Sequence, residues 1–209
     1  AFHRAGVCSA DFSFARSPKP RKYSPGTKDT APLHRTFHRK KVDQMRYSIK
    51  IQTPAGPLLL IEENKALTEI SFADKDTRTF QAGRQAETTE QETPLLAEAK
   101  RQLEEYFAGK RREFDIPLSM RGTSFQKKVW EQLLTIPYGE TVTYGEIAAR
   151  IGNPRAGRAV GMANHHNPIA IIVPCHRVIG ADGRLTGYGG GLPIKQSLLE
   201  LEKKYRGTM

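Results

Sequence analysis

The chain has 209 residues, of which 38% are hydrophobic, enough for a real core in one large domain or two small ones. Its longest apolar runs, Leu58 to Ile61 and Ile169 to Val173, fall far short of the roughly 20 residues of a membrane helix, and two cysteines, Cys8 and Cys175, argue against a disulfide scaffold and for a reducing compartment. A formal charge of +11 points to a polyanionic partner, with ten Lys or Arg against three Asp in residues 1–44 (net +7), which leaves +4 for the rest.

Residues 1–44 have no apolar period and are rich in Pro, Ser, Arg and Lys, so they are expected to be a disordered basic extension. Met45 stands just before the first patterned segment, and three origins compete for the extension: a segment upstream of a natural start at Met45, an Arg-rich organelle leader, or a nucleic-acid-binding arm. His3, Cys8, His34 and His38 carry zinc-type donors, but with no core to pre-organise them no metal site is expected. Tyr47 to Thr53 and Leu58 to Glu62 read as a β-hairpin turned by Pro54-Ala55-Gly56-Pro57, and Leu67 to Phe72 as a third strand. Thr93 to Phe107 reads as a helix with Thr93 as N-cap, Pro94 in the first turn and Leu96, Leu103 and Phe107 toward the core. These elements make an N-terminal α+β domain over 45–118. Ser119 to Thr123 is a linker, and 119–209 form a second domain that begins with a helix capped by Ser124, with Phe125, Val129, Trp130, Leu133 and Leu134 on its core face.

Tyr144, Ile147, Ala148 and Ile151 then fall at i, i+3, i+4 and i+7, with Thr143 as N-cap and Glu146 three residues on. Gly152-Asn153-Pro154 stops this helix and starts a second, about Arg155 to His165, which turns Ala159, Val160 and Ala163 to one side and Arg155, Arg158, Met162 and His165 to the other. Two short helices joined in this way have a helix-turn-helix shape, although many such pairs never meet DNA. The second is full of small residues, Ala156, Gly157, Ala159, Gly161 and Ala163, and its backbone can approach a partner closely. A minor groove about 6 Å wide demands that closeness, whereas a major-groove reader carries longer polar side chains.

Asn167-Pro168 ends the second helix, and Ile169 to Val173 reads as a short buried strand leading into Pro174-Cys175-His176-Arg177. A cysteine at a strand end beside a histidine and an arginine has a route to a lowered pKa and a nucleophilic thiolate; the alternative is an inert, packed thiol. Further on, Gly187-Tyr188-Gly189-Gly190-Gly191 precedes a helix from Pro193 to Lys204. That loop lacks the P-loop lysine pattern; its glycines either cradle a phosphate or line a flat pocket in which Tyr188 stacks on a planar ligand.

Ile172-Val173-Pro174-Cys175-His176-Arg177-Val178-Ile179 resembles the active-site signature of the O6-alkylguanine-DNA alkyltransferase family, the methylated-DNA–protein-cysteine methyltransferases, and Asn153-Pro154-Arg155-Ala156-Gly157-Arg158-Ala159-Val160-Gly161 resembles its DNA-binding helix. The similarity runs from about Met45 to Glu202. It implies an α+β chain: a small strand-rich, ribonuclease H-like domain, then a mostly helical domain with a winged-helix-like helix-turn-helix and the active-site cysteine. It also implies direct reversal of DNA damage. The alkyl group of O6-alkylguanine, and of O4-alkylthymine, in a nucleotide flipped out of the duplex passes irreversibly to Cys175.

By motif, Cys175 resembles the alkyl acceptor, His176 the base toward it, Glu202 the carboxylate that orients the histidine, and Tyr144 the residue that presses on the phosphate beside the flipped nucleotide and gives the departing base a proton. Arg158 resembles the finger that fills the vacated place in the stack, with Arg155, Ala156, Ala159 and Gly161 on the same DNA-binding helix. Asn167 resembles a hinge, and Val173, Ala170, Tyr188 and Gly189 fall around the base pocket. Many relatives carry serine at Gly189 and some carry proline at Ala170; the smaller residue at 170 implies tolerance of bulky alkyl groups. The resemblance implies no cofactor, no metal, a monomer, alkylated double-stranded DNA as partner and no membrane, in the cytoplasm of a prokaryote or the nucleus of a eukaryote and not secreted. Two other readings remain: a lesion-binding protein without chemistry, against which Cys175 argues, and a helix-turn-helix regulator, for which no dimerising or sensing segment is evident. A fused zinc module would need four cysteines.

Overall fold

The computed structural model describes residues 45–73 and 88–207. The expected extension over 1–44, with His3, Cys8, His34 and His38, lies outside the described residues. The chain opens with β1 (Arg46–Ile51) and β2 (Leu58–Glu63), paired antiparallel. Their turn is closed by Gly56 N donating to Thr53 O at 2.9 Å, with Gly56 at φ +104°, a conformation glycine adopts without a Cβ penalty. Asn64 and Lys65, both at positive φ, turn β2 into β3 (Ala66–Phe72), as a tight hairpin requires. A short β4 (Thr88–Glu90) lies parallel to β1 and completes the order β3-β2-β1-β4.

Helix α1 (Pro94–Phe107) begins as expected: Thr93 Oγ1 accepts from Leu96 N at 3.1 Å and Pro94 occupies the first turn. Its core face is Leu96, Ala99, Leu103 and Tyr106, while Phe107 is only half-buried. The inward aromatic is therefore Tyr106, not Phe107, because position 106 continues the alternating steps of three and four and its hydroxyl finds a buried partner there. In α2 (Ser124–Leu133) the N-cap is Thr123, not Ser124. Only Thr123 has an acceptor-bearing side chain three residues on: Gln126 N donates to Thr123 Oγ1 at 3.2 Å and Thr123 N donates to Gln126 Oε1 at 2.9 Å. Val129, Trp130 and Leu133 face the core, Phe125 is half-buried, and Leu134, past the helix end, is exposed.

The short β5 (Val142–Thr143) feeds α3 (Tyr144–Arg150), whose capping box is the expected Thr143 and Glu146. Helix α4 (Gly157–His165) starts two residues later than Arg155, which lies in a turn where Ala156 N bonds Asn153 O. Its buried side is Val160, Ala163 and Asn164; Ala159 is exposed with Arg158 and Met162, opposite to its expected side. Trp130 Nε1 donates to Ala163 O at 2.9 Å and fixes α4 to α2. β6 (Val178–Ile179) pairs in parallel with β5, and α5 (Leu192–Tyr205) closes the fold. One core joins the sheet to the helices: Leu67 bridges to Leu118 and Ile70 to Ile169. Among the described residues no helix is long and apolar enough to cross a membrane.

Candidate active site

The segment between α4 and β6 is built around one amide. Asn167 Oδ1 accepts from Ile169 N at 3.1 Å, and its Nδ2 donates to Val173 O at 2.7 Å and to Cys175 Sγ at 3.1 Å. Ile169 to Val173 is consequently not the strand that its apolar run suggested. It is buried but folded into successive turns, with Val173 N on Ile169 O and Ile172 N on Ala170 O, and with Ile171 at φ +72°. A β-branched residue in that region is strained by about 1–3 kcal/mol and persists only where the surroundings dictate it, here the Asn167 clamp and the core around Ile171. A five-residue apolar run reports burial without distinguishing strand from turn.

Cys175, His176 and Arg177 form a 3₁₀ turn and are all buried. With three residues per turn their side chains diverge, so the arginine does not serve the thiol. Arg177 Nε donates to Glu202 Oε2 at 2.9 Å, Nη2 to Glu202 Oε1 at 2.9 Å and Nη1 to Ile136 O at 2.6 Å. Burial pushes the Cys175 thiol above its ordinary pKa, opposed by the Asn167 hydrogen bond and the charge of Lys195. The resting group is thus a neutral thiol and not the thiolate that the neighbouring arginine suggested. Burial also pushes His176 below its ordinary value, opposed by Glu202, so the imidazole is neutral and able to take a proton.

Which nitrogen takes it follows from Glu202. Burial alone would raise that carboxyl, but the hydrogen bond from His176 and the hydrogen bonds and charge of Arg177 outweigh it and hold the pKa at about 2. An ionised carboxylate only accepts, so the His176 Nε2 that meets Glu202 Oε1 at 2.9 Å carries the proton and Nδ1 is the acceptor. Nδ1 is buried and has no hydrogen-bond partner among the described residues, and the Cys175 sulfur bonds Asn167 instead of the imidazole. Among the described residues the thiol and the imidazole thus share no direct hydrogen bond.

Three groups around this centre were not foreseen. Tyr106 donates its hydroxyl to Glu202 Oε1 at 2.8 Å and Gly139 N donates to Glu202 Oε2 at 2.9 Å. Lys195, fully buried, donates from Nζ to Val178 O at 2.6 Å and Thr186 O at 2.9 Å, which ties the glycine-rich loop to β6 and sets a positive charge near the thiol. The signal in the sequence was a lysine in the apolar phase of α5.

Tyr144 stands at the first turn of α3, with its hydroxyl accepting from Thr186 Oγ1 at 3.0 Å and its ring 5.9 Å from Lys195 Nζ. Burial raises its pKa, so the phenol stays protonated and able to donate. Tyr188 is not presented face-on to solvent: its ring meets Phe72 edge-on at 5.9 Å and His176 at 6.5 Å. Ala170 is half-buried beside the thiol loop. In the glycine loop the neighbours differ. A Cβ on Gly189 meets nothing within 4 Å, whereas one on Gly190 lies 2.8 Å from the Phe72 ring. Gly190→Ala should therefore cost about 1–3 kcal/mol and Gly189→Ala nearly nothing; urea midpoints that agree for the two variants would contradict this packing.

Arg155, Arg158, Ala159 and Met162 form the exposed face of α4 and the turn before it, with Ala156 and Gly161 half-buried. The surface is a narrow ridge of small residues with two arginines at its start. Among the described residues no group of three or more metal-ligating side chains occurs.

Two family descriptions match this chain: 6-O-methylguanine DNA methyltransferase, ribonuclease-like domain, over residues 45–120, and 6-O-methylguanine DNA methyltransferase, DNA binding domain, over residues 124–204. A methylated-DNA–protein-cysteine methyltransferase of Mycobacterium tuberculosis is 55% identical over 153 residues, 73% of this chain and 90% of the relative. The chain belongs to this family. The methyltransferase of Methanosarcina acetivorans is 53% identical over 158 residues, 76% of this chain and 98% of the relative. A crystal structure of Mycobacterium tuberculosis OGT in complex with DNA is 53% identical, covers 76% of this chain and 94% of that chain, and gives a TM-score of 0.68. Within the methyltransferase framework, Cys175, His176, Arg177, Glu202 and the α3–α4 pair fall in the DNA-binding part, and Tyr106 in the ribonuclease-like part.

Proposed function

We propose that this methyltransferase repairs DNA by direct reversal, taking the alkyl group from O6 of guanine, and from O4 of thymine, in a nucleotide flipped out of duplex DNA. The observation that carries the reading is the pairing of a buried neutral thiol with a buried neutral imidazole whose Nδ1 is left as acceptor by Glu202. In the transfer a bond forms between Cys175 Sγ and the alkyl carbon as the bond from that carbon to O6 breaks. The thiol proton goes to His176 Nδ1, and the departing guanine receives a proton from the Tyr144 hydroxyl. A thiol raised by burial makes the base necessary, because little thiolate exists before the substrate arrives.

Residues 45–118 serve as the scaffold and 119–209 as the DNA-binding and transfer part, acting as a monomer in a reducing compartment that keeps the thiol free. The ridge of α4, with Ala156, Ala159 and Gly161, lies along the minor groove; Arg155 holds phosphate and Arg158 fills the gap left by the flipped base, offsetting part of an unstacking cost of a few kcal/mol. Asn167 links the end of α4 to the sulfur, and Val173, Ala170, Tyr188 and Gly189 surround the base. Intact-mass analysis after incubation with a duplex containing O6-methylguanine tests the reading: one methyl on Cys175 is expected, and an unmodified protein or a methyl elsewhere refutes it. Arg158→Ala should slow repair of the duplex at least tenfold, a loss of about 1.4 kcal/mol, yet leave reaction with free O6-benzylguanine unchanged. Equal losses on both would remove the finger role.

A further inference from the structure

Tyr106 lies on α1, 69 residues before the thiol in sequence, and the chemistry above makes no use of it. Its ring is wholly buried against Phe107, Phe114 and Tyr138, with centroids at 5.4, 5.6 and 5.9 Å. Phenylalanine would serve that packing. The hydroxyl instead reaches Glu202 Oε1 at 2.8 Å, the same oxygen that accepts from His176 Nε2 at 2.9 Å.

We infer that Tyr106 is a positioning residue for alkyl transfer: through the carboxylate oxygen it shares with His176, it sets how strongly Glu202 holds the imidazole proton and hence the pH below which His176 no longer accepts the proton of Cys175. The inference rests on the alkyl-transfer reading and deepens it.

A carboxylate's charge is divided among its donors. Glu202 Oε1 takes Tyr106, His176 and Arg177, and Oε2 takes Arg177 and Gly139 N. Withdrawing the phenol leaves more negative charge on Oε1, which favours the protonated imidazole. The other groups facing the pair are Arg177 on the 3₁₀ turn and Lys195 on α5, which both disfavour imidazolium. Tyr138 adds its phenol beside Glu202, with Arg112 over its ring at 5.7 Å; Tyr188 meets His176 edge-on, and Cys175 is the next residue. Tyr106 differs from Arg177 and Lys195 in being neutral: burial first, and then the Glu202 charge, push its pKa well above the ordinary value. Its hydrogen bond can therefore be removed without changing the formal charge of the cluster.

Two variants test this, Tyr106→Phe and 3-fluorotyrosine placed at position 106 alone, the second keeping the ring and strengthening the donor. The readouts are the pH dependence of single-turnover transfer from O6-benzylguanine and of iodoacetamide modification followed on the Cys175 peptide by mass spectrometry. For Tyr106→Phe the low-pH midpoint should rise by about half a unit to one unit, lowering the rate on the acid side roughly 3- to 10-fold while the plateau holds; for fluorotyrosine it should fall. Superimposable profiles in folded variants, or shifts of one sign in both, overturn the inference. If Tyr106→Phe does not fold, the fluorotyrosine variant decides alone. A wild-type chain that reacts with iodoacetamide but with no alkylated guanine refutes the alkyl-transfer reading, while the iodoacetamide profiles still decide the role of Tyr106.

Discussion

Cys175→Ser should abolish transfer while leaving the fold and binding to alkylated DNA intact, and the wild-type chain should remove no more than one equivalent of methyl per molecule. The two results share a chemical cause. The serine hydroxyl fits the space of the thiol and can still accept from Asn167 Nδ2, so the clamp on Val173 O and Ile169 N survives. Its proton is held far more tightly than that of a thiol, however, and a neutral buried imidazole cannot draw it off fast enough to make a nucleophile. In the wild-type chain the product is a thioether, a poor leaving group. Cys175 is the free cysteine of the described residues, so no second thiol among them can accept the methyl. The check is a titration of O6-methylguanine duplex against a fixed amount of protein, with residual lesion counted. Removal continuing past one equivalent, or transfer by the serine variant, would mean that Cys175 is not the acceptor.

What the sequence disclosed and what it hid divide along the distance over which each interaction acts. The β1–β2 hairpin was readable because Pro54-Ala55-Gly56-Pro57 carries its own turn chemistry, and α3 because Thr143 and Glu146 satisfy each other three residues apart. The same rule applied to Thr123 and Gln126 would have corrected the cap of α2. Cys175, His176 and Glu202 came from the resemblance; spacing alone left the thiol undecided between nucleophile and packed core. Arg177 was assigned to the thiol because the two are near in sequence, yet a 3₁₀ turn sends its guanidinium to Glu202, 25 residues on. Tyr106 was hidden further still, since its bond to Glu202 spans 96 residues and no local pattern marks a tyrosine in an apolar stripe as anything but core. Ile169 to Val173 failed for a different reason: hydrophobicity reports burial, and the turn geometry there is imposed by the side chain of Asn167.

Glu202→Gln is expected to cost both rate and stability, and the pH dependence of the stability loss separates its causes. A glutamine side chain offers a donor as well as an acceptor. If its amide nitrogen faces His176, the imidazole must accept on Nε2 and carry its proton on Nδ1, the nitrogen that has to receive the thiol proton. Transfer should then slow about 100-fold or more, within the range that a displaced general base commands, while affinity for DNA is unchanged because α4 is untouched. Stability should fall as well: Arg177 keeps its charge with little solvent access, and an ion left unpaired in a buried site costs about 3–5 kcal/mol. In the wild-type chain the carboxyl falls from an ordinary 4.5 to about 2 on folding. A group whose folded pKa is depressed contributes stability that is fully present above the unfolded value and is lost as pH falls through the folded one. The wild-type advantage over Glu202→Gln should therefore be complete at pH 7, shrink between about 4.5 and 2, and vanish below that window. Urea unfolding at pH 7 and pH 3 measures the gap directly. A gap of equal size at both would mean that Glu202 acts by packing and not as a carboxylate, and an undiminished transfer rate would leave His176 without its orienting partner.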